Sequence, residues 1–152
     1  DYDELGTRGH VDIVATFASP GRVLVHAQHD PEHPDHAVMP AIYDALRQAT
    51  DARGRTLELI ELPAPAQLRD EEGFVDYSYV NHLVVNGGII ACGFDDPVAD
   101  ARAREALAEA YGREVVTVDA REIFARGGGI HCITQQQPAA SASSGTLAKG
   151  GA

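Results

Sequence analysis

The chain has 152 residues, enough for one domain with a core of its own, and its 44% hydrophobic content suits a globular protein. Twelve basic side chains face 23 acidic ones, a net charge of −11. That balance repels phosphate backbones and argues against a nucleic-acid partner. No apolar run reaches the roughly 18–20 residues of a membrane span, since "HLVVNGGIIACGF" is broken by Gly87 and Gly88. Two cysteines with no C-x-x-C spacing, Cys92 and Cys132, fit a reducing, cytoplasmic setting. The chain starts at Asp1 and its one methionine is Met39, so it is expected to be a piece of a longer protein.

In chain order, "HVDIVATFA" (10–18) is expected to be a strand, joined by the turn "SPGR" to a second strand over 23–29. An Asp-Pro stop follows, and then an amphipathic helix over 40–52 with Ile42, Ala45, Leu46 and Ala49 on one face. A Gly-Arg break and the strand "RTLELIEL" close the unit, and "PAPAQLRDEEG" (63–73) is a loop. The same order then repeats. "YVNHLVVN" (79–86) leads through a glycine pair to a strand over 89–92, an Asp-Pro stop and a helix over 98–111, then Gly112 and "REVVTVDA". The second helix carries Ala103, Ala106, Leu107 and Ala110 on one face, and Gly54 and Gly112 are expected to end the two helices in matching C′ positions. "IHCITQ" is expected to be a strand opening a third unit. A ββαβ module at a fixed period implies repeated units around an axis, the alternative being two βαβ units in one open sheet. The tail 139–152 is small, polar and expected to be disordered.

The chemistry centres on "GGGIHCITQQQP" (127–138), where three glycines precede Cys132. A cysteine reacts as its thiolate and needs a base nearby. On a strand, His131 would face away from Cys132, which leaves His10 as the better base, with Asp12 two residues on and on the same face. Cys92, between apolar neighbours, is expected in the core. "HAQHDPEHPDH" holds His26, His29, His33 and His36 and can be drawn as a metal site, but it reads more simply as a polar loop.

"GHVD", "SYVNHLVVNGGII", "FDDP" and "GGGIHCITQQQP", in this order and spacing, resemble the C-terminal part of the agmatine deiminase family and its relatives, the bacterial-type peptidylarginine deiminases. The resemblance spans about Gly9 to Pro138. It implies an αβ-propeller of the guanidino-group-modifying superfamily, present over residues 1–138 as an incomplete ring of about two and a half ββαβ modules. It also implies hydrolysis of a small cationic guanidino substrate to a ureido product and ammonia, without a cofactor or metal. By the same resemblance Cys132 is the nucleophile, His10 the acid/base, and Asp12 the guanidinium-binding carboxylate, while Gly127, Gly128 and Gly129 let the backbone approach the ligand. Arg8, Ile13 and Gly129 stand where the family usually has an acidic residue, Asn and Asn. The implied partner is the missing N-terminal half of the propeller, without which the chain is expected to be inactive and to self-associate as a homo-oligomer. The readings left open are another guanidine-modifying activity, such as on peptidyl arginine, and a non-catalytic fragment.

Overall fold

The computed structural model describes residues 10–137; Arg8, Gly9 and the 138–152 tail lie outside them. Strands β1 (Ala15–Ser19) and β2 (Arg22–Ala27) form a hairpin, helix α1 (Met39–Gln48) follows, and β3 (Glu58–Pro63) returns. The order then recurs as β4 (Leu83–Val85), β5 (Gly88–Gly93), α2 (Pro97–Tyr111) and β6 (Glu114–Asp119), with a last turn of helix, α3 (Arg121–Phe124). Each set forms its own three-stranded sheet, ordered β1-β2-β3 and β4-β5-β6. In both, the hairpin partner is antiparallel to the central strand and the strand after the helix is parallel to it. The ββαβ repeat expected from the sequence is therefore present twice, in two separate sheets and not in one open sheet.

Local chemistry explains the elements. In Ser19-Pro20-Gly21-Arg22, Gly21 takes φ 80°, the left-handed position that a Pro-Gly turn reserves for glycine. Asp96 caps α2 by accepting from the Val98 and Ala99 N–H groups at 3.2 and 2.9 Å, with Pro97 in the first turn. The same helix ends at Gly112, left-handed at φ 61°, whose N–H reaches Ala108 O at 2.8 Å. Ala99, Ala103, Leu107 and Ala110 are its buried face, as the periodicity predicts save that Ala106 is only partly buried.

The first helix departs from expectation. It stops at Gln48, well short of 52, and its buried residues are Met39 and Tyr43, with Ile42 and Leu46 half-buried and Ala45 exposed. Gly54 is not at the helix terminus. Thr50 pairs with Thr56 across a tight turn in which Asp51 Oδ1 accepts from the Arg53 and Arg55 N–H groups, and Gly54 (φ 76°) completes that turn. An aspartate side chain that serves its own downstream N–H groups offers the backbone an alternative to another helical turn.

The main core lies around α2, which packs on strands of both sheets. Tyr77, Tyr79, Phe94 and Phe124 meet beside it, Tyr77 stacked on Phe94 at 4.5 Å and Phe124 edge-on to both. A smaller cluster of Val23, Val25, Met39 and Tyr43 underlies α1. Among the described residues no helix is long and apolar enough to cross a membrane.

Candidate active site

Three turns converge at one edge of the molecule. The first spans Val11–Ile13, ahead of β1, and is a single turn of 3-10 helix instead of the expected strand. Its backbone is claimed by side chains: Ser78 Oγ donates to Ile13 O at 2.7 Å, and Asn81 Nδ2 donates to Asp12 O at 3.3 Å. A ladder there would lose those bonds. The second turn, Ser78 to His82, replaces the first half of the strand expected over 79–86. The third holds Ile130, His131 and Cys132, where "IHCITQ" forms no strand. Asn81 Oδ1 accepts from the His131 N–H at 2.8 Å, and the Thr134 N–H and hydroxyl donate to the His131 carbonyl at 3.1 and 3.0 Å.

These turns gather Asp12, Asn81, His131 and Cys132. Asp12 Oδ2 accepts from His131 Nδ1 at 2.7 Å, from Asn81 Nδ2 at 3.1 Å and from the Cys132 thiol at 3.2 Å. Asn81 Nδ2 also lies 3.1 Å from Cys132 Sγ. The expectation that His131 faces away from Cys132 is corrected here. Strand alternation does not apply to a turn, so neighbouring side chains reach the same carboxylate oxygen. Likewise His10 and Asp12 share a turn and not a strand face. His10 is the exposed N-cap residue of that turn and acts on Asp12 through charge.

The electrostatics are set by crowding. Burial alone would raise the Asp12 carboxyl, yet hydrogen bonds from His131 and Cys132 and the charges of His131 and His10 bring it below the usual range. Burial pushes the Cys132 thiol up, as does the Asp12 carboxylate, against hydrogen bonds from Asn81 and the Gly129 main chain. Asp12 Oδ1 is enclosed and has no partner among the described residues. An acceptor left open beside a thiol suits a ligand that brings both N–H groups and positive charge.

The glycines that were expected to line the ligand also shape the interior. A Cβ on Gly128 would strike Cys132 Sγ at 2.7 Å, and one on Gly129 would enter the space of Asn81 Oδ1 and the Phe124 ring. Gly127 takes φ 99° and is exposed. Behind the site lies Cys92, buried, donating its thiol to Asn81 O at 2.9 Å and pushed by burial up to about 12. It is a core residue, as expected. His82 is buried too, with Nδ1–H donating to Tyr79 O at 3.0 Å and Nε2 accepting from the Tyr111 hydroxyl at 2.8 Å.

The histidine-rich stretch builds structure. His33 is buried with Nε2 2.9 Å from Val75 O, His36 Nδ1 lies 3.2 Å from Gln28 O, and His26 is enclosed in β2. Among the described residues no group of histidine, cysteine and carboxylate side chains is placed to hold a metal ion.

The paired ββαβ sheets are shared by solved α/β structures whose names are those of arginine and agmatine deiminases. Agmatine deiminase of Enterococcus faecalis superposes with a TM-score of 0.78 at 31% identity, over 87% of this chain and 41% of that one. The chain belongs to the Porphyromonas-type peptidyl-arginine deiminase family, whose profile matches residues 1–138. A Streptomyces coelicolor protein named "Putative agmatine deiminase" is 58% identical over 91% of this chain, and agmatine deiminase of Pseudomonas putida is 41% identical over 88%. In both cases this chain spans 41% of the relative's length.

Proposed function

We propose that this chain carries the cysteine side of an agmatine-hydrolysing centre. The observation that supports it most is the convergence of Cys132 with Asp12, whose second oxygen has no partner among the described residues. A planar guanidinium would place its N–H groups on Asp12, displacing the Cys132 S–H and the His131 ring from Oδ2. Its charge would neutralise the carboxylate that now opposes thiol ionisation, so the cation helps to generate the thiolate that attacks it. The thiol proton passes to His10, and Cys132 Sγ then bonds to the guanidinium carbon. His10 protonates the departing nitrogen, the C–N bond breaks, and ammonia leaves. Water, deprotonated by His10, attacks the remaining thiouronium; the C–S bond breaks and the ureido product departs with the thiolate restored.

Agmatine is the favoured substrate because relatives named for agmatine hydrolysis are similar over most of this chain, although peptidyl arginine remains the rival within the same family. The opposing wall of the site, with a second carboxylate, belongs in this proposal to chain that the longer relatives carry beyond the matched part. Exposed Val116 and Val118, on the face of β6 shared with buried Cys92 of β5, offer an apolar surface for such a partner. A single carboxylate–guanidinium pair in water is worth only about 0–1 kcal/mol, too little to position a poor electrophile.

Ammonia release should therefore be absent for the 152-residue chain alone. It should appear when the remainder is supplied covalently or in trans, faster with agmatine than with arginine or a peptidyl arginine, and vanish in Cys132→Ser. Turnover that survives Cys132→Ser would overturn the proposal. Preference for peptidyl arginine would move it to the rival substrate.

A further inference from the structure

Asn81 is fully buried, and its side chain bonds Asp12, Cys132 and the His131 main chain. The orientation of its amide is fixed by chemistry: the His131 main-chain nitrogen can only donate, so the atom facing it at 2.8 Å is Oδ1. The NH2 group must then face Asp12 and Cys132, with Nδ2 3.1 Å from both Asp12 Oδ2 and Cys132 Sγ. We propose that Asn81 is a positioning residue of this centre, holding the Cys132 sulfur and the Asp12 carboxylate together so that both can be anionic, while its oxygen pins the His131–Cys132 turn. The inference rests on reading Cys132 as the nucleophile.

As a thiol, Cys132 gives its proton to Asp12 Oδ2. Once that proton leaves, two anions face each other 3.2 Å apart with no hydrogen between them. Asn81 has two N–H groups: one can serve Asp12, shared between Oδ2 at 3.1 Å and the main-chain oxygen at 3.3 Å, and the other the sulfur. It is neutral, so it serves both without a charge that would compete with a cationic substrate.

Besides Asn81 only the Gly129 main chain is placed to donate to the sulfur among the described residues, and the titratable groups around the site act differently. His131 reaches Asp12 through Nδ1, and His10 reaches Asp12 only through charge. Cys92 turns its thiol to the Asn81 main chain, and His82 has both ring nitrogens engaged behind the site. A carboxylate at position 81 would add a third negative group.

The test follows Cys132 alkylation against pH in the 152-residue chain, in Asn81→Ala and in Asn81→Asp. Protection of Cys92 reports that each variant is folded. The midpoint should rise by about one pH unit in Asn81→Ala, slowing labelling roughly tenfold near neutrality, and rise further in Asn81→Asp. A merely structural role would lower the melting temperature and leave the midpoint in place; that result would overturn the inference. A second readout needs no variant at position 81. In the unaltered chain the Asn81 side-chain amide resonances should shift with the same midpoint as Cys132 alkylation, and stay still in Cys132→Ser. Amide resonances indifferent to Cys132 ionisation would also overturn it, whether or not the position-81 variants fold. Because neither readout uses turnover, a failure of the deiminase proposal and a failure of this one are separately visible.

Discussion

The two ββαβ sheets share strand order and the register of their parallel strands but are finished differently. Register pairs Arg22 with Glu58 and Gly88 with Glu114, so the fifth residue of the central strand is His26 in one sheet and Cys92 in the other. Both are buried. Cys92 donates to Asn81 O and so ties its strand to the site, whereas His26 Nδ1 has no partner among the described residues. The second helix has an aspartate cap and a glycine terminus; the first has no side-chain cap and ends in extended backbone at Ala49. The sheet order tolerates loose helix ends. The well-ended copy is the one whose entering turn supplies Asn81.

The contrast can be broken first through the core. Leu107 is fully buried against α2's neighbours, while Leu46, its counterpart on α1, is half-buried. Leu107→Ala should cost about 3 kcal/mol in denaturant unfolding and Leu46→Ala about 1. Equal losses would mean that the two helices anchor the molecule alike.

His26 gives the next effect. Burial brings its imidazole from the ordinary 6.5 down to about 4. Its folded pKa lies below the unfolded one, so its contribution is fully present above about pH 6.5 and is lost as pH falls towards 4. Between those limits His26→Leu should remove about 2–3 kcal/mol of acid sensitivity, read as a flatter acid limb of stability against pH. An unchanged acid limb would contradict the burial of a neutral imidazole.

Helix ends come last. Asp96→Ala should cost about 1 kcal/mol, because Asp96 caps α2 and Oδ2 also accepts from Ala66 N at 2.9 Å. Val38→Ala at the uncapped start of α1 should be near neutral by thermal melting. Gly54→Ala and Gly112→Ala should each cost about 1 kcal/mol, since both are left-handed with open space at Cβ. Similar losses at a hairpin turn and at a helix end would assign the cost to backbone conformation alone.

The repeat was legible in the sequence because strands, stops and helices are local patterns. The α2 face and the buried Cys92 were legible for the same reason. The three turns were not. Residues 10–13, 78–82 and 130–133 carry apolar letters at strand-like spacing, and what makes them turns is distant side chains that take their backbone groups. Ser78 reaches Ile13, Asn81 reaches Asp12 and His131, and no periodicity encodes a bond across 50–69 residues. Sequence periodicity therefore gives no sign of Asn81 and turns His131 away from the site, whereas the motifs mark Cys132 and Asp12. The one local hint was the polar pair Asn81-His82 inside an otherwise apolar run.

The central claim is that Cys132 meets a guanidinium held by Asp12, and a cationic alkylating agent tests it most directly. In folded chain, a haloacetamidine, which carries an amidinium like the proposed substrate, should label Cys132 faster than a neutral haloacetamide after correction for their rates with free cysteine. Cys92 should stay unlabelled, and the preference for the cation should disappear in Asp12→Asn. Labelling of Cys92 ahead of Cys132, or a cation preference that survives Asp12→Asn, would contradict the account.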